Sequence, residues 1–336
     1  MPTTTTIVPR SSGLLTLYLL VALACLPHAE VSAAEEVTAE RIKSIRAETT
    51  SGLHAFFQDL DYKWTTFKNG VPPIILEKIP EDIDDSVNTK TKKQTFFMAL
   101  LPMILLANQE ISRERDEIRQ ILDRHETGAS SRGDFKRISE IMKRYGLRGR
   151  PFTDHRVRRQ LMKRVDTIPP ALVLAQAANE SAWGTSRFAK QGNNLFGEWT
   201  FKPGAGIVPA GRPDGEIYEV RVFNSIYQSI RSYMNNLNTH RAYGQLREIR
   251  ANLRKAKKPV TGVALSAGLV NYSQRGEEYI KEINAMIRHN DLGKTNLAKL
   301  RQAQKDALTH SNSNGSGLFS TRNRLIGHTQ SAGLDP

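Results

Sequence analysis

One carboxylate in this chain stands where chemistry could use it. Glu180 follows an uncharged run, ALVLAQAAN at residues 171–179, within the stretch IPPALVLAQAANESAWGTSRFAKQGNNLFGEWTF at residues 168–201. That run reads as a buried helix. Pro170 suits its first turn, where a missing N–H costs nothing. A lone acid in such a helix must be paired, or have its pKa raised by desolvation. A raised carboxyl pKa is what a general acid needs to break a glycosidic bond. The competing reading is a structural Glu that caps a neighbouring loop. Trp183, Gly184, Asn193-Asn194, Phe196 and Trp199 come directly afterwards, and together could line a sugar cleft. Phe196 and Trp183 read equally well as core aromatics. The Asn194 amide could serve an N-acetyl group or hold its own loop.

The segments AQAANESAWGTSRFA and GNNLFGEW resemble the pattern of glycoside hydrolase family 73, and more narrowly its Bax-type glucosaminidases. The upstream segment KKQTFFMALLPMILLANQEI resembles the Bax-type subset only. The resemblance implies a lysozyme-like α+β fold, mainly helical, that cleaves peptidoglycan glycan strands. Glu180 would be its acid, and the NLFG motif at 194–197 would floor the cleft. Tyr279, at the start of the last helix, matches a tyrosine that borders the family's cleft, with Tyr272 as second choice. A tyrosine buried at a helix junction is the alternative for both.

Glycosidases usually employ two carboxylates. The resemblance implies a second acid on a β-hairpin, often on its first strand, where this chain reads GIVPA and carries none. The following strand offers Glu216 and Glu219. Glu216 adjoins the Gly215 turn, which leaves Glu219 as the possible helper, against a plain surface acid. Tyr218 joins the aromatic set. With no second acid, the substrate's N-acetyl group or a water would complete the reaction. A lytic transglycosylase using one acid, and a non-catalytic wall-binding or regulatory protein, are the other readings.

The elements that position these residues follow from periodicity and punctuation. Helices are expected at 40–60, 91–124, 135–145 and 155–165, with Pro102 kinking or splitting the second. HETGASSRGD reads as a linker. EIYEVRVF, after the Pro213-Asp214-Gly215 turn, reads as a strand of a small hairpin or three-stranded lobe. Helices resume at 225–238, 243–255, 263–270 and 277–289, and NLAKLRQAQKDAL continues helical before a polar tail from 310. The expected organisation is a signal peptide at 1–33, an N-terminal helical extension at 34–150, the glucosaminidase domain at 151–292 and a tail at 293–336, partly disordered.

Arg10, the apolar run at 13–26 and Val31-Ser32-Ala33 fit a cleaved secretory signal, hence a periplasmic or secreted protein. An uncleaved signal anchored in the inner membrane, or a lipid anchor on Cys25, are the alternatives. Cys25 is the only cysteine among 336 residues, so the mature chain would have neither disulfides nor cysteine chemistry. The net charge of +14 favours a polyanionic partner. Secretion and the lack of nucleic-acid motifs point to the cell wall rather than nucleic acid. No H-E-x-x-H or G-x-S-x-G occurs, and no metal or organic cofactor is implied.

Overall fold

The computed structural model describes residues 42–85, 88–301 and 319–323. The expected signal peptide with Cys25, and the polar run at 310–318, lie outside the described residues. Where one helix is expected over 40–60, there is a strand, β1 (Lys43–Ala47), followed by a helix, α1 (Thr50–Asp59). Ile45 and Ala47 alternate inward, as a strand requires. The Thr49 side chain accepts the Gly52 N–H and starts the helix only there. A short strand, β2 (Ile74–Leu76), follows.

Next comes α2 (Thr89–Glu126), unbroken across Pro102. Proline deprives the carbonyl four residues back of its partner. Here that carbonyl, Met98 O, accepts the Tyr62 hydroxyl at 3.2 Å, while burial of residues 95–104 holds the helix in place. An 18-residue stretch of α2 is apolar enough to cross a membrane, but 78% of it is buried inside the protein, as in a core helix. The expected linker shrinks to a turn, because Ser131 and Asp134 form a capping box that opens α3 (Arg132–Arg144). Asp154 caps α4 (His155–Arg164).

The Glu180 helix, α5 (Pro170–Glu180), lies at the centre, and α6 (Arg187–Gly192) comes after it. A small antiparallel sheet follows, built from β3 (Trp199–Thr200), β4 (Gly206–Ile207) and β5 (Glu219–Arg221), with β5 in the middle. Helices α7 (Ile226–Thr239), α8 (Gly244–Lys255), α9 (Gly262–Ser266) and α10 (Glu277–His289) complete the core. The expected helical continuation ends in a 3-10 turn at Leu292–Leu297. Residues 298–301 run extended instead, because Val71 pairs with them: its N–H donates to Lys299 O and its carbonyl accepts the Arg301 N–H, each at 2.8 Å; the rest of the expected helix, to 308, lies outside the described residues. A final strand, β6 (Phe319–Asn323), adds antiparallel to β1, which also pairs in parallel with β2.

The described residues between 42 and 150 therefore include strands as well as helices and share their core with the rest of the chain. One apolar core runs from Ile45 to Ala298 without a break at 150. In it α2 packs on α5 and α7, and α9 and α10 pack on α5. Asn108 of α2 and Ile168 close a reciprocal pair. The Asn108 Nδ2 donates to Ile168 O at 2.8 Å, and Ile168 N–H donates back to Oδ1 at 2.9 Å. The upstream half of the chain thus sets the entry of the Glu180 helix.

Candidate active site

Residues 171–178 of α5 are buried, and Glu180 emerges half-buried at its end. The chain then turns sharply: Ala182, Trp183 and Gly184 all have positive φ, at 48°, 60° and 83°. Two consecutive non-glycine residues in this region store strain that the surroundings must offset, a pattern common at functional sites. Ser181 supplies the offset, its hydroxyl donating to Ala177 O at 2.6 Å and accepting the Gly184 N–H at 2.8 Å.

Glu180 is held by neutral donors. The Tyr279 hydroxyl donates to its Oε1 at 2.7 Å, with Asn179 Nδ2 at 3.4 Å. Tyr279 in turn accepts from Gln176 Nε2 at 2.7 Å, and Gln176 Oε1 accepts the Tyr233 hydroxyl. Gln176, Tyr233 and Tyr279 are buried, and only Glu180 reaches the surface. Burial raises the Glu180 pKa, and the Tyr279 and Asn179 bonds oppose it without cancelling it. The outcome is a carboxyl that keeps its proton to higher pH than a free glutamic acid.

The NLFG loop is built from one side chain. Asn194 is buried; its Nδ2 donates to Glu198 O at 2.8 Å and Arg221 O at 2.9 Å, and its Oδ1 accepts Phe196 N–H and Glu198 N–H. Both protons and both lone pairs are spent on backbone. Phe196 stacks on Tyr233 with ring centroids 3.8 Å apart, and the Tyr272 hydroxyl donates to Phe196 O at 3.4 Å. Tyr272 also stacks on Tyr279 at 5.2 Å, so the loop and the acid share one tyrosine cluster.

A family model described as glucosaminidase, mannosyl-glycoprotein endo-beta-N-acetylglucosaminidase, matches residues 156–292. Protein bax of Escherichia coli (strain K12) is 35% identical over 199 residues, covering 59% of this chain and 70% of that protein. This chain is a Bax-type member of the glucosaminidase family. Its mainly helical α+β fold is the one expected from the resemblance, and the family is one of glycoside hydrolases. The crystal structure of the catalytic domain of the autolysin Auto from Listeria monocytogenes covers 54% of this chain and 86% of that one. It is 18% identical, with a TM-score of 0.27.

Within this member of the glucosaminidase family, Glu180 and Tyr279 meet directly, with Tyr272 stacked on Tyr279. The other expected site residues fall elsewhere. The Asn194 amide is fully engaged by backbone and Phe196 is core, and both shape the loop. Trp183 packs edge-on against Phe96 and Phe97 of α2 beneath Lys93, and so anchors the turn after Glu180. Trp199 stacks flat on Tyr218, centroids 4.5 Å apart, and is 57% exposed, which makes the pair a sugar-sized apolar platform on the small sheet.

Glu219 is a correction. It is buried, not on the surface, and its two carboxylate oxygens accept the Gly204 N–H at 3.0 Å and the Gly206 N–H at 2.8 Å. Those backbone bonds, Gly204 first, hold its pKa below the ordinary carboxylate range against the effect of burial. A Cβ on residue 206 would lie 2.4 Å from Val220 O, so only glycine lets this strand come close enough. Through these two bonds Glu219 clamps the hairpin.

The residue missed by sequence reasoning is Glu198. Its carboxyl is held by the Ser232 hydroxyl, which donates to Oε2 at 2.7 Å, and burial pushes its pKa up to about 7. The signal lay in the motif itself, an acid placed between Gly197 and Trp199 of the NLFG loop.

The relay yields a prediction. Tyr279→Phe removes the donor that restrains the Glu180 pKa, so the alkaline limb of the pH–rate profile should move to higher pH. The variant also strands the buried Gln176 Nε2, at a cost of about 1–3 kcal/mol. Thermal melting and a pH series of turnover check both.

Proposed function

We propose that this chain is a peptidoglycan hydrolase that cleaves the β-1,4 bond following N-acetylglucosamine, with Glu180 as the general acid. The observation that carries the reading is the carboxyl of Glu180: half-buried, raised in pKa, and ringed by uncharged donors in the family-matched segment. A protonated Glu180 gives its proton to the glycosidic oxygen as that oxygen leaves C1. The Tyr279 hydroxyl then stabilises the carboxylate left behind, since it already donates to it. The Trp199–Tyr218 platform suits the C–H face of a sugar ring. The net charge of +14 suits a wall bearing anionic peptides. Export through residues 1–33 would deliver the enzyme to the periplasm or beyond, and the substrate requires such a location.

Digestion of purified sacculi tests the reading. Muropeptides ending in reducing N-acetylglucosamine support it, and anhydro-muramic ends would replace it with lytic transglycosylation. Unchanged sacculi would leave a binding or regulatory role. Trp199→Ala should raise KM for sacculi by about 2–10-fold, with kcat nearly unchanged, because the stack acts equally on ground and transition states. A matching fall in kcat would place the ring in transition-state binding instead.

A further inference from the structure

The positive charge of the chain is not spread evenly. Residues 132–164 hold twelve Lys or Arg against three Asp or Glu, so this one segment carries +9 of the total +14. It spans α3, α4 and the turn between them, and contains none of the residues placed around Glu180.

Helix α3 sorts its charges by face. Arg137 forks onto Glu117 at 2.7 and 2.8 Å, and Arg144 pairs with Glu114, so these two arginines are neutralised by acids of α2. Arg132, Lys136 and Lys143 form a separate stripe, because at 3.6 residues per turn they fall within about 40° of one another. All three are exposed, as are Arg148 and Arg150 in the turn that follows. None of these five side chains has an ion pair or hydrogen bond among the described residues. An apolar ring adjoins the stripe. Phe135 is 44% exposed and packs on Phe152 with ring centroids 4.7 Å apart, while His125 lies 4.5 Å from Phe152. Phe152 follows Arg150 by two residues, so this cluster brings the Arg150 loop to the first turn of α3. That turn is fixed by its capping box and by Arg124, which forks onto Asp134.

The face is remote from the acid. Phe96 and Phe97, near one end of α2, hold Trp183, three residues after Glu180; His125, at the other end, holds the aromatic cluster. The 28 residues between Phe97 and His125 span about 40 Å at the helical rise.

We propose that this face docks on an anionic phospholipid surface. Arg132, Lys136, Lys143, Arg148 and Arg150 would meet the lipid phosphates, and Phe135 would enter the headgroup–acyl boundary beneath them. Cations that lack counter-charge in the protein find it on a negative leaflet, and an exposed ring among them adds apolar burial there. A soluble acidic polymer would satisfy the cations and leave Phe135 without an apolar layer to enter. The inference goes beyond the hydrolase reading and does not rest on it.

The test is sedimentation of the full chain with vesicles of phosphatidylcholine alone, or with about one-third phosphatidylglycerol, at low salt and at about 0.5 M salt. The apolar run at 13–26 would add affinity for both vesicle types alike, so the readout is the difference between them. Wild type should prefer the anionic vesicles and lose that preference at high salt. Arg132→Gln/Lys136→Gln/Lys143→Gln should weaken anionic binding by about 10²-fold, roughly fivefold per charge. Lys68→Gln/Lys90→Gln/Lys299→Gln removes as many exposed charges outside the segment and should change it little. Phe135→Ala should cost about 3–10-fold and Phe135→Leu less, with melting temperatures confirming the fold. Sacculus turnover by the α3 triple variant in free solution should match wild type, whether or not Glu180 is the acid. Equal binding to the two vesicle types, or equal losses in the two triple variants, would overturn the proposal. So would full binding by Phe135→Ala together with displacement of wild type from vesicles by short duplex DNA, which would make the face a site for soluble polyanions. A fall in sacculus turnover by the folded α3 variant would also overturn it, by assigning the stripe to the wall.

Discussion

Glu180→Gln is expected to lower sacculus turnover by about 10²–10⁴-fold while leaving the fold intact. The isosteric amide keeps an oxygen for the Tyr279 hydroxyl, so the chain through Gln176 to Tyr233 survives. What it loses is the proton. Stability gives an independent readout. The folded-state pKa of Glu180 is raised, so its contribution to stability is full below the unfolded value, roughly 4.3. It is lost as pH rises through the folded value. A neutral glutamine has no such loss, and the variant should melt no lower than wild type at pH 8. Release of reducing ends, followed beside melting at pH 4 and pH 8, checks both arms. Substantial turnover in the folded variant would remove Glu180 from the chemistry.

The acid helix could be read from sequence because its signal is local: nine uncharged residues before a carboxylate can only be interior. Tyr279 was legible through the family pattern. What failed depended on partners far away in sequence. Helix α2 continues through Pro102, and the Tyr62 hydroxyl takes the carbonyl that the proline orphans. The extended run after the 3-10 turn exists because Val71, more than 200 residues earlier, pairs with it. The surroundings of Glu198 and Glu219 were illegible for the same kind of reason. Each is an acid of the small sheet, and its fate is set by what it faces. Glu219 faces the amides of Gly204 and Gly206 and is tied down. Glu198 faces Ser232 on a helix more than 30 residues later, and its other oxygen is buried without a partner among the described residues. Neither partner set leaves a periodicity in the chain.

The largest expected effect on stability is at Asp166, just ahead of the acid helix. This carboxylate is 3% exposed and is shared by three guanidiniums. Arg254 binds it in a fork at 2.9 and 3.1 Å, while Arg250 and Arg115 lie at 3.7 and 3.8 Å. Arg250 is itself buried and spans the backbone carbonyls of Lys163, Asp166 and Thr167. Burial works to raise the Asp166 pKa, but the arginines, Arg250 foremost, hold it below its ordinary value. Asp166→Ala leaves Arg250 buried beside Arg115 with no counter-charge, a change that costs about 3–5 kcal/mol. Melting should fall on the order of 10 °C. Arg254→Ala removes a half-exposed partner only and should cost about 1 kcal/mol or less. The sign with pH is opposite to that of Glu180. A depressed folded pKa gives stability that is present above the unfolded value of roughly 3.9 and lost as pH falls through the folded one. Wild type should therefore lose melting temperature in acid more steeply than Asp166→Ala does. Equal melting of the two at pH 7 would show that the arginine cluster, rather than its shared carboxylate, holds the lead-in to α5.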